Sequence, residues 1–156
     1  MPTVFRRVLR EEMHTWKWVA VGFLGVTVYK TDLPLLYDEY LGPPLIYATV
    51  EAVLNASGPP AIKYKAYARK AASGTWTAYT ALPDGTRLET RKAAGDYAPN
   101  GEGPKNWPWA AFFETAAPPP RTPDEPYIVC VFHTVRALDT GAWVTTDPAC
   151  TDVIVP

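Results

Sequence analysis

The stretch W-V-A-V-G-F-L-G-V-T-V-Y, residues 18–29, carries no charged side chain, and its reading decides the architecture of the whole chain. At about 12 residues it falls short of the roughly 17–25 that a membrane-spanning helix needs, and runs of about 10–14 are commonly core helices or signal-peptide cores. The flanks change that reading. Lys17 can carry its ammonium to the headgroups on its own apolar stem. Met13 to Tyr29 then supplies about 17 residues, the lower limit for a span. Trp16, Trp18 and Tyr29 stand at the ends of the run, where amphipathic rings settle at a membrane boundary. Gly22 and Gly25 lie in mid-run. In a soluble helix each costs up to about 1 kcal/mol, whereas in a membrane helix they allow close packing on a neighbour. Leu33-Pro34-Leu35-Leu36-Tyr37 extends the buried length as an interfacial segment.

Charge sets the orientation. Arg6, Arg7, Arg10 and Lys17 precede the run; after Lys30 no Lys or Arg appears until Lys63, while Asp32, Asp38, Glu39 and Glu51 do. Basic residues stay on the cytoplasmic side, so the N-terminus is expected there and the remainder across the membrane. Residues 3–17 read as an amphipathic helix, with Val4, Phe5, Val8, Leu9, Met13 and Trp16 at helical spacing. Two rival readings exist. A cleaved signal peptide fits the basic start and short apolar core, but Val26-Thr27-Val28-Tyr29 lacks a small-x-small cleavage site. A soluble protein with residues 16–29 in its core is the other.

The rest of the chain reads as mostly β. Ile62, Tyr64, Ala66 and Ala68 alternate with Lys63, Lys65, Tyr67 and Arg69, the period of a half-solvated strand. Thr75 to Leu82 is a strand by its Thr and aromatic content; Pro83-Asp84-Gly85 turns it into Thr86 to Lys92. Ala93 to Lys105 reads as a loop. Tyr127 to Arg136 is the strongest strand, Ala142 to Thr146 follows it, and Asp152 to Val155 is a last edge strand. Leu45 to Leu54, between Pro43-Pro44 and Gly58-Pro59-Pro60, reads equally as helix or strand. The expected fold is a single N-terminal transmembrane helix followed by a small antiparallel sandwich or barrel with long proline-rich loops. Residues 1–30 form the cytoplasmic start and span, 31–60 an interfacial proline-rich connector, and 61–156 the extracytoplasmic domain. Tyr127 is three residues before Cys130, so the tyrosine-corner spacing of immunoglobulin domains is not met.

Little chemistry is legible. A net charge of −1 gives no basic footprint for nucleic acid. Two His and two Cys, with no paired spacing, leave no metal motif, and no phosphate loop, dinucleotide motif or nucleophile elbow occurs. Cys130 and Cys150 are read as a disulfide of a translocated domain, closing a loop of about 20 residues for roughly 3 kcal/mol. His133 lies on the opposite strand face from Cys130, which excludes a Cys–His pair and makes it a structural histidine. His14, one turn before Trp18, reads as an interfacial polar residue. Asp38-Glu39 and Asp124-Glu125 read as solvated loop carboxylates. Lys63, Lys65, Arg69 and Lys70 form a basic stripe on a solvated face.

Thirteen per cent aromatics, with six Trp, and seventeen Pro suit extended contact with partners. The expectation is a non-catalytic accessory or structural subunit of a larger membrane complex, such as a bacterial photosynthetic or respiratory assembly. Its localisation is the bacterial inner membrane, with the C-terminal domain periplasmic. Its partners are the lipid bilayer and integral membrane subunits, without nucleic acid, small-molecule substrate or cofactor. Trp76, Trp107, Trp109 and Trp143 are the expected partner-binding residues. A phage or virion-associated membrane protein, such as a lysis regulator, is the alternative.

Overall fold

The computed structural model describes residues 19–155 apart from 28, 31, 57, 100, 102 and 116–124. The amphipathic start, His14, Trp16, Lys17, Trp18 and Asp124 lie outside the described residues. A long apolar helix, α1 (Val19–Leu41), leads the chain and has the length and composition to cross a membrane. Its last five residues, Tyr37–Leu41, widen into a π turn closed by the Gly42 N–H donating to the Tyr37 carbonyl at 2.6 Å. A Cβ on Gly42 would sit 2.8 Å from the Tyr37 ring, so the helix stops at a residue without one.

The remainder is mostly β, in two antiparallel sheets. The first has the order β1 (Ile46–Val53), β2 (Ala61–Ala68) and β5 (Lys105–Trp107). The second runs β4 (Arg87–Tyr97), β3 (Ala72–Ala81), β6 (Ile128–Ala137) and β7 (Trp143–Thr145), with β8 (Ala149–Cys150) also paired to β6. One apolar cluster joins Val50 and Ile62 of the first sheet to Ala78, Val129 and Val131 of the second, and another joins Ile46 to Ala72 and Val135. The sheets therefore face each other across a common core. A short helix, α2 (Trp109–Phe113), seals one end with Trp109, Phe112 and Phe113. Glu114 leaves it in the left-handed region at φ 56°, and Arg91 donates to the Ala111 and Phe112 carbonyls, satisfying acceptors a helix end leaves open.

Three sequence expectations change. The 45–54 segment is a strand, and its whole length pairs with β2, from Ile46↔Ala68 to Val53↔Ala61. Cross-strand partners decide it: Tyr47 stacks on Tyr67 at 5.0 Å, and Lys63 Nζ meets Glu51 at 2.7 Å. The expected 31–60 connector thus contains the end of α1 and an integral strand. Secondly, β4 continues to Tyr97 through the expected Ala93–Lys105 loop. Gly95 hides the alternation, but it pairs with Gly74, which faces Val135 on the other side. A Cβ on Gly74 would lie 2.2 Å from the Thr134 carbonyl oxygen, so strand contact here requires glycine. Thirdly, the final strand is Ala149–Cys150, held opposite Val131 and Cys130; Ile154 makes only a bridge to Tyr127.

Candidate functional site

Two features stand apart from ordinary core and surface: the bare helix with its joint to the domain, and a buried polar layer. Along α1, Val19, Val21, Phe23, Leu24, Val26 and Tyr29 are all exposed, Phe23 by 76 %. Nothing lies within 4 Å of a Cβ built on Gly22 or Gly25. The stretch is apolar, uncovered by the domain, and of a length and composition that could cross a membrane.

At its C-terminal end the helix is fastened to the sandwich by Asp38, whose side chain is fully buried. Arg69 donates to its Oδ1 at 2.6 Å; Lys70 and the Thr140 hydroxyl donate to Oδ2 at 2.8 and 2.9 Å. Lys70 is shared with Asp139 at 3.0 Å. Arg69 and Lys70 follow β2, and Thr140 lies in the β6–β7 turn, so one carboxylate ties the helix to two loops. Leu35 packs beside it on the Leu45–Val135 cluster. The sequence reading of Asp38 as a solvated loop residue is thereby corrected. Its partners are 31 to 102 residues away, and no local pattern announces them. The basic stripe is likewise spoken for: Lys63 pairs with Glu51, Lys65 lies over the Tyr67 ring at 4.0 Å, and Arg69 and Lys70 hold Asp38.

The polar layer lies between the two apolar clusters. His133, fully buried, points inward from β6 between Val131 and Val135. Its Nε2 is 2.7 Å from the Tyr64 hydroxyl of β2. Tyr97 of β4 meets the imidazole edge-on at 5.4 Å. Its hydroxyl and His133 Nδ1 are buried with no hydrogen-bond partner among the described residues. Burial holds the imidazole neutral, with its pKa lowered to about 4. Burial also raises Tyr97 to about 12, and raises Tyr64 further, with the neighbouring Tyr97 adding to it. Desolvation penalises the charged form in each case. The layer is therefore neutral near pH 7. Tyr64 and Tyr97 also line a hollow of about 370 Å³ between β2 and β4. The sequence placed His133 on the strand face opposite Cys130; that this face points inward, with Tyr64 and Tyr97 as its companions, is a finding of the structure.

The four tryptophans separate. Trp109 is 2 % exposed and packs on Phe113 and Tyr127, so its expected place on a partner surface is corrected to the core. Trp76 is half-buried between Tyr64, Phe112 and the Arg91 guanidinium, and Trp107 is half-buried in β5. Trp143, on β7, is 57 % exposed and is the member of the four that a partner can reach freely. Cys130 and Cys150 face each other in register at disulfide distance, S–S 2.02 Å. A groove of about 890 Å³ runs between β1 and the segment 149–155. Among the described residues, no group of three or more His, Cys, Asp or Glu gathers in metal-binding proximity.

Comparison of the chain with protein-family models, with curated proteins and with solved structures returns no match.

Proposed function

We propose that this chain is a membrane-anchored binding subunit: one helix crosses the bacterial inner membrane, the N-terminus stays in the cytoplasm, and the sandwich stands in the periplasm as a non-catalytic accessory part of a larger membrane assembly. The observation that carries this reading is α1. Its exposed Val, Leu, Phe and Tyr side chains would each cost on the order of 1–3 kcal/mol in water relative to burial. A bilayer removes that cost. The charge asymmetry around the span supports the orientation, and the facing Cys130 and Cys150 suit an oxidising compartment. The Asp38 joint supports a role in geometry: the anchor leads into the domain through a clamped helix end, which fixes the height and angle at which the sandwich meets its neighbours. Trp143 and the tyrosines Tyr47 and Tyr40, all exposed, offer the contact surface.

The test is purification from native membranes in mild detergent, with mass spectrometry of the co-migrating proteins. Stoichiometric recovery with a multi-subunit complex is the expected result. A chain that alkaline carbonate washes off the membrane overturns the anchor, and a companionless chain in detergent overturns the accessory role.

A further inference from the structure

Among the described residues β1 pairs with β2 along its whole length and with no strand on its other side. The Arg69 N–H donates to the Leu45 carbonyl at 2.9 Å, so Leu45↔Arg69 is a hydrogen-bonded pair and fixes the phase of the ladder. Bonded and non-bonded pairs alternate between antiparallel strands. Tyr47, Thr49, Glu51 and Val53 therefore direct their N–H and C=O groups to β2. Ala48, Val50 and Ala52 direct theirs outward, where no described residue meets them. The groove of about 890 Å³ between β1 and residues 149–155 runs along this edge. Its lining includes every residue from Ala48 to Ala52. Successive side chains lie on opposite faces of a strand, so the groove follows the backbone edge and not one face.

Proteins blunt their open edges with charge, proline, bulges or short strands, and the other edges here follow that rule. β4 carries Arg87, Glu89, Arg91 and Lys92, while β5, β7 and β8 are two or three residues long. β1 has eight residues, no Lys, Pro or Gly and no register shift. Its one charge, Glu51, is held by Lys63. The far wall of the groove is fastened independently of β1. Cys150 faces Cys130 at disulfide distance, the Thr151 N–H donates to the Val129 carbonyl at 2.9 Å, and Ile154 bridges Tyr127. The groove is thus preformed, which lowers the ordering cost of filling it.

We propose that this groove receives an extended segment of a partner protein, which adds to β1 as a further strand of the first sheet. The proposal rests on the binding-subunit reading for the partner's being another protein; it does not depend on the anchor. The open edge sets the partner's backbone, whose alternate N–H and C=O groups meet those of Ala48, Val50 and Ala52. The lining sets its side chains. Ala48, Ala52 and Ala149 are small and leave room for branched apolar residues, and Val153 and Val155 stand exposed beside them. No Lys or Arg lines the groove, whereas Asp152 does and forms no ion pair among the described residues. A Lys or Arg in the segment answers that charge. A second copy of β1 fits less well, because it brings its own 149–155 wall and its own Asp152 into the same gap.

The experiment uses the full chain in detergent and a set of peptides of about nine residues, a usual strand length. They alternate Val and Thr, with a single Lys moved through the positions. Residue-resolved amide hydrogen exchange reads β1. In the chain alone, the Ala48, Val50 and Ala52 amides are expected to exchange at least about ten-fold faster than those of Thr49 and Glu51. At least one peptide is expected to slow the outward three about ten-fold and leave Thr49 and Glu51 unchanged. N-methylation of one alternate set of that peptide's amides is expected to abolish the protection, and of the other set to spare it. Ala52→Pro removes an outward N–H and no bond to β2; it is expected to abolish the protection with circular dichroism unchanged. Asp152→Lys, distant from the ladder, is expected to weaken the same peptide several-fold. A set in which no peptide protects the edge, or equal effects of the two methylation patterns, overturns the proposal. Outward amides already protected in a concentration-dependent dimer give the edge to a second copy and also overturn it. The two readings fail separately. A chain that co-migrates with a complex while no peptide protects β1 keeps the accessory role and loses the groove. A chain that carbonate strips from the membrane while a peptide still protects β1 loses the anchor and keeps the groove.

Discussion

Lowering the pH from 7 to 5 is expected to destabilise the sandwich through His133. In the unfolded chain this imidazole titrates near 6.5; in the folded core burial lowers its pKa to about 4. The folded pKa is depressed, so the stabilisation is present in full above about 6.5 and is lost as pH falls towards 4, because the unfolded state binds the proton first. The two protonation curves give a loss of about 2 kcal/mol between pH 7 and pH 5, rising to about 3 kcal/mol at pH 4. That is a large share of the roughly 5–15 kcal/mol that holds a domain folded. Glu89 acts in the opposite sense. Burial raises its pKa, so it adds stability as pH falls, and the His133 effect must be read as a difference. The comparison is His133→Gln, whose amide can hydrogen-bond Tyr64 without titrating. Guanidinium unfolding of the full chain in detergent, followed by tryptophan fluorescence, reads both proteins; Trp76 sits directly across from His133 in the β3–β6 register. Wild type is expected to lose about 2 kcal/mol more than His133→Gln between pH 7 and pH 5. Parallel pH curves for the two proteins refute the reasoning, for they would mean that the imidazole is solvated or already charged in the folded state.

Other substitutions follow from the geometry. Asp38→Ala leaves Arg69 and Lys70 without their shared carboxylate; since those cations are partly exposed, the cost is discounted from the value for a fully buried pair to about 2 kcal/mol. It is also expected to speed proteolysis between α1 and β1, seen in a timed digest. Gly74→Ala drives a methyl into the Thr134 carbonyl and the Val135 backbone, with an expected cost above about 3 kcal/mol and loss of the near-ultraviolet tyrosine and tryptophan signal. Trp109→Ala removes a core ring at about 3–5 kcal/mol, whereas Trp143→Ala stays within about 0.5 kcal/mol of wild type and instead weakens co-purification with partners. Denaturation midpoints beside pull-down yields check this pair.

What was legible depended on how local the signal was. The apolar run, the alternation over Ile62–Ala68 and the β-branched stretch at Tyr127–Arg136 each express a backbone period within a few residues, and all appear in the fold as α1, β2 and β6. The same parity placed His133 on the opposite strand face from Cys130. Composition identified an aromatic-rich chain but did not sort its tryptophans, because burial depends on which element covers a residue. Trp109 is in the core because α2 folds under Tyr127 and Val129, and Trp143 is outside because β7 lies at a sheet edge.

The sequence by itself determined that an apolar helix precedes a β-rich domain, since length, charge asymmetry and period-two patterning are properties of neighbouring residues. Only the tertiary structure decided the rest. It made the 45–54 segment a strand by supplying eight partners in β2. It buried Asp38 by bringing Arg69, Lys70 and Thr140 to it, and it set His133 against Tyr64, 69 residues away. The physical reason is common to all three. A polar group is stable inside a protein only when distant groups arrive to satisfy or enclose it, and that arrival is a fact of the folded chain.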